Sequence, residues 1–137
     1  MSSISDICES IPNVDKPFSI EFSDGGDDET DKNKAREIWG DKCHVLTTEL
    51  AMRLPFDVPI VATWGDHLCY NGDYGTKREW LTTIMFTSLK KVGTYVDVDV
   101  KVIDGYRSKW LQTENFYAND EKYIRCGGSA WPVYVFY

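Results

Sequence analysis

The chain has 137 residues, enough to bury a real core as one domain, and its 42% hydrophobic and 14% aromatic content excludes a disordered polymer. Its net charge of −7 sits unevenly: residues 1–76 carry 6 Lys/Arg against 15 Asp/Glu, whereas residues 77–137 carry 9 against 7. Such acidity argues against a broad phosphate-binding surface, an objection the more basic second half softens, and no run of ~18 apolar residues offers a membrane span.

Residues 1–16 are polar with scattered apolar positions and read as a loosely held arm. Residues 17–137 read as a single domain. The first six residues lack the basic region and apolar core of a secretory signal, which points to a cytoplasmic protein. Cys8, Cys43, Cys69 and Cys126 are far apart and form no Cys-x-x-Cys pair, so reduced thiols are expected in preference to a zinc knuckle, with two disulfides as the alternative. Residues 17–22 alternate as a short strand. Residues 23–29 form an acidic, glycine-containing loop whose spacing does not match a calcium loop.

Residues 30–54 carry helical periodicity, with acids crowded at the start and Pro55 as the stop. Ala35, Ile38, Val45, Leu46, Leu50 and Met52 gather on one broad face. Gly40 is the position where this helix can break or bend. Glu49 falls within the apolar stripe, where a carboxylate finds a partner or snorkels to water.

Residues 58–63 read as a strand, with Pro59 marking an edge or a strand start. Residues 64–76 are turn-rich, and residues 80–87 are β-branched and aromatic enough for another strand, with a short helix as the alternative. Residues 95–103 alternate strictly. Val96, Val98, Val100 and Val102 fall on one face, and Asp97, Asp99 and Lys101 on the other. Residues 106–119 mix helical and strand signals. Residues 122–126 and 133–137 read as the last two strands. The expected class is α+β: one main N-terminal helix packed on a mixed β-sheet.

Asp99-Val100-Lys101 is the motif with most chemistry. Alternation sets the carboxylate beside the ammonium. A carboxylate holds a hard divalent cation, and a neighbouring lysine orients water or stabilises phosphate charge. The same row is also what an ordinary solvated sheet face looks like. His44 and His67 stand in no ligand spacing, and a zinc site from His67 and Cys69 is disfavoured. The C-terminal aromatics read as core packing ahead of base stacking.

The order of elements resembles the PD-(D/E)XK nuclease superfamily over residues 35–137. The segment from Gly40 to His44, running on to Leu50 and Leu54, is similar to the family's first helix. Val98-Asp99-Val100-Lys101-Val102 is similar to its third motif. Thr113 to Phe116 and Ala130 to Val135 are similar to its later strands. His44 stands where the family's helix often has glutamate, so the resemblance assigns that role to Glu49, with Glu37 as the alternative. It assigns the second-motif aspartate to Asp73, with Asp66 behind it. What it implies is a DNA-cleaving enzyme using Mg²⁺ or Mn²⁺, with Lys101 and Asp99 catalytic and Asp73, Asp99 and Glu49 as metal ligands. The rival expectation is a non-catalytic acidic interaction or assembly protein, such as a viral structural component or an inhibitor of a basic partner. Its partner is a protein, a further copy of the chain included.

Overall fold

The computed structural model describes residues 3–18, 29–64, 75–126 and 132–137. In chain order its elements are helix α1 (Ile4–Glu9), helix α2 (Glu29–Trp39), strand β1 (Cys43–Val45), helix α3 (Thr48–Ala51), strand β2 (Ile60–Thr63), helix α4 (Lys77–Trp80), strands β3 (Thr82–Val92) and β4 (Tyr95–Gly105), a 3₁₀ turn (Tyr106–Lys109), and strands β5 (Thr113–Asn119), β6 (Arg125–Cys126) and β7 (Tyr134–Phe136). These seven described strands form one sheet in the order β1-β7-β2-β3-β4-β5-β6. Every pairing is antiparallel.

The alternating strand is at the heart of it. Val96, Val98, Val100 and Val102 are each no more than 4% exposed. Asp99 and Lys101 are exposed on the other face, and Asp97 is half-buried there. Gly93, at φ +60°, starts the two-residue turn that pairs Val92 with Tyr95, the first central position where glycine suits a hairpin. A bulge at Thr87 lets Ile84 and Phe86 before it, and Leu89 after it, all face the same core.

The sheet curls until its far edge meets its beginning. Val133 N donates to Ile124 O (3.1 Å), Ile124 N to Leu46 O (2.8 Å) and Thr48 N to Lys122 O (2.8 Å). The concave side holds one apolar cluster, built from Leu46, Ala62, Ile84, Phe86, the four valines, Phe116, Ile124 and Val135. A second cluster lies on the convex side of β1, β7 and β2. There Ile7, Ile11, Val14, Phe18, Ala35 and Trp39 cover Cys43, Val61, Tyr134 and Phe136.

This arrangement corrects the α+β expectation of a mixed sheet under one main helix. The helical periodicity of residues 30–54 does not survive as one helix. Gly40 sits at φ +94°, and a Cβ there would meet Pro12 Cδ at 2.9 Å. The left-handed backbone ends α2. Beyond it Cys43, His44 and Val45 pair with Phe136, Val135 and Tyr134. Thr47 then caps a new, single-turn helix by accepting Leu50 N at 3.0 Å. The apolar face expected on one helix is split accordingly: Leu46 and Leu50 join the concave core, while Ala35, Val45 and Ile38 join the convex one.

Residues 3–16, set aside by the sequence as an arm, contribute Ile7, Ile11 and Val14 to the convex core. Arg78 at the start of the β-rich half holds this segment through Asp15 (2.6 Å) and Glu9 (2.7 Å). The buried Lys77 ammonium donates to Pro12 O at 2.7 Å. The expected strand over residues 17–22 lies mostly outside the described residues, and the acidic loop 23–28 lies there entirely. Among the described residues no helix is long and apolar enough to cross a membrane.

Candidate functional sites on the sheet face and at the free edge

The Asp97, Asp99 and Lys101 row lies on the convex face of β4. Its register sets Ser88 and Asn115 on either side of Asp99, and Lys90 and Tyr117 on either side of Asp97. Ser88 Oγ donates to Asp99 Oδ2 at 2.8 Å. Asn115 Nδ2 donates to Asp97 Oδ1 and reaches Asp99 Oδ1 at 3.4 Å. Neutral donors from the two neighbouring strands therefore hold both carboxylates. Lys101 lies between Met85 and Thr113, exposed at a shallow groove that Thr87, Gln112 and Asn115 also line.

The structure thus gathers Asp97, Asp99 and Lys101 on one face. Glu49 is on a different element, in the first turn of α3, where Leu50 and Ala51 turn inward and Glu49 is exposed. Its expected place in an apolar stripe vanishes with the long helix. Glu37 is exposed on α2. Asp73, Asp66, His67 and Cys69 lie outside the described residues. Among the described residues no three His, Cys, Asp or Glu side chains gather as a metal-binding group.

A different constellation forms where the broken helix left a free strand edge. Among the described residues β1 is paired in the sheet by β7 alone, and Cys43 N on its outer side donates to Gly40 O. Leu46 N donates to Val133 O, and Tyr137 N to Lys42 O. Even-numbered residues of this stretch thus address β7, and the backbone of Cys43 and Val45 faces away. Along that edge runs a cavity of about 340 Å³. Lys32 and Arg36 line it, one helical turn apart on α2. Arg53, just after α3, lines it from another side, and Thr47, His44 and Tyr137 complete the wall above a floor of Cys43 and Tyr134.

The electrostatics of this cavity are one-sided. Among the described residues no Asp or Glu side chain belongs to its wall, although the chain as a whole carries −7. Among the described residues Arg36 and Arg53 form no ion pair. The charge of Arg36 is felt at His44. Burial, and then the positive charge of Arg36, hold its imidazole below the ordinary value of 6.5, against a smaller upward pull from a hydrogen bond to the Tyr137 backbone. The His44 ring also stacks on the Tyr137 ring, with centroids 4.1 Å apart and planes 23° apart. Burial drives the Cys43 thiol far upward, so the floor is neutral.

In the sequence His44 and Cys43 stand out only as a residue in no ligand spacing and a lone thiol, and Lys32, Arg36 and Arg53 do not stand out at all. Lys32 and Arg36 at helical spacing were the one available signal, and Glu37, Asp41 and Glu49 mask it by interleaving with the cations along the chain. No protein-family model matches this chain, and neither does a curated protein or a solved structure.

Proposed function

We propose that this chain is a binding protein for a small anion, taken at the free edge of β1. One observation carries the reading: a cavity of about 340 Å³ whose wall holds Arg36, Arg53 and His44 and, among the described residues, no acidic side chain, in a protein of net charge −7. Burial first, and then the like charge of Arg36, make a proton on His44 costly. An anion relieves that cost. Guanidinium forks offer paired donors to a phosphate or carboxylate. Proton uptake by His44 then adds a charge, so affinity rises as pH falls.

The test is calorimetric titration with inorganic phosphate and pyrophosphate at pH 6.0 and pH 7.5, at low ionic strength. Binding should be tighter at the lower pH, and the Arg36→Gln/Arg53→Gln double variant should weaken it at least tenfold, the scale of ~1.4 kcal/mol. Wild-type protein that binds neither anion, or a double variant that binds both as tightly, refutes the reading.

A second reading is metal-dependent cleavage of DNA at Asp99 and Lys101. What supports it is that the two side chains share an exposed groove on one strand face.

A further inference from the structure

A second cavity, of about 320 Å³, has the opposite chemistry. Ile4 of α1, Leu54 and Val58 of the loop after α3, Phe86 of β3 and Phe136 of β7 line it, and among the described residues Tyr137 is the one that brings a polar side-chain atom. Phe86 and Phe136 are no more than 1% exposed, so the cavity reaches the layer of the two cores. Tyr137 belongs to both walls, apolar and cationic. Its ring lies on His44, and it is itself 47% exposed.

We infer that the two cavities form one site for a single-chain amphipathic anion, a carboxylate or phosphate head carrying an unbranched hydrocarbon tail. This rests on the anion-binding reading of the β1 edge. Charge complementarity selects the head, which meets Arg36, Arg53 and His44. The tail passes Tyr137 and lies against Leu54, Val58 and Phe86. An anion with no apolar part leaves the second cavity unused, and an uncharged chain leaves the cations unmatched. Tyr137 is built for the junction: its ring presents an apolar surface to the tail, and its hydroxyl a polar end.

The ligand series that tests this is acetate, butanoate, hexanoate, octanoate and decanoate, with octyl phosphate and octanol beside them. All are titrated into the full chain below their micellar concentrations. Affinity should rise about fourfold for each methylene that enters the cavity, then level off when the cavity is full. Octanoate and octyl phosphate should both exceed octanol, and the ratio between the two anions identifies the preferred head. Val58→Asp should abolish the chain-length dependence and leave inorganic phosphate binding unchanged. Pro59→Asp, at an exposed position of the same wall, serves as a second variant should Val58→Asp fail to fold. If phosphate binds and needs Arg36 and Arg53 but chain length has no effect, the joined site is wrong and the anion site stands. If neither phosphate nor any alkyl anion binds, both fall. Binding of octanol as tight as that of octanoate also overturns the joined site.

Discussion

Replacing Val98 by alanine tests the central inference about how this chain folds. Val98 is fully buried on the concave side of β4, paired with Leu89 on β3 and Phe116 on β5. The substitution removes two methyl groups, worth about 1.6 kcal/mol in transfer free energy at ~0.8 kcal/mol each. A void of roughly 50 Å³ in a wall made of packed strands adds about 1 kcal/mol. The expected loss is therefore roughly 2–3 kcal/mol. Asp99→Ala, one residue along but on the exposed face, forfeits the Ser88 and Asn115 hydrogen bonds at a solvated carboxylate. That should cost no more than about 1 kcal/mol. Urea unfolding followed by circular dichroism reads both. At a slope near 2 kcal/mol per molar, Val98→Ala should move the midpoint down by about 1 M with the slope unchanged. A midpoint within about 0.2 M of wild type, or a larger loss in Asp99→Ala, refutes the assignment of the two faces.

His44 gives the stability a pH signature. Its folded pKa lies below the ordinary 6.5, so as pH falls the unfolded chain takes up this proton first. The stability it contributes is complete above about 6.5 and is lost as pH falls through the lower folded value. Urea midpoints measured from pH 7.5 to pH 5 should decline less steeply in His44→Gln than in wild type, and parallel declines refute the shift. The row on β4 has its own assay, cleavage of linear and branched DNA with Mg²⁺, Mn²⁺ or EDTA. If the nuclease reading holds, Lys101→Ala loses ~10²–10³ in rate and keeps Mn²⁺ binding, while Asp99→Ala loses cleavage and metal together; wild-type protein that cuts nothing sinks that reading.

What the sequence determined by itself is what depends on neighbours along the chain. Strict alternation over residues 95–103 set both faces of β4, because successive side chains in any strand point opposite ways whatever lies on either side. Pro59 marked the start of β2, and the apolar ending foretold β7. Tertiary structure decided the rest. Residues 43–45 carry a helical pattern, yet they form a strand because Gly40 reverses the chain and residues 134–136 offer a ladder. Pairing energy from a distant segment outweighs a local propensity worth only tenths of a kcal/mol per residue. The same event separated cations that the sequence interleaves with acids. Arg36, His44 and Arg53 line one cavity at a strand edge, and Glu37 and Glu49 are not among its described lining residues. Periodicity along one helix places all of these on a single cylinder. Only the break at Gly40, which turns that cylinder into a helix, a strand and a turn, gives the cations a common cavity.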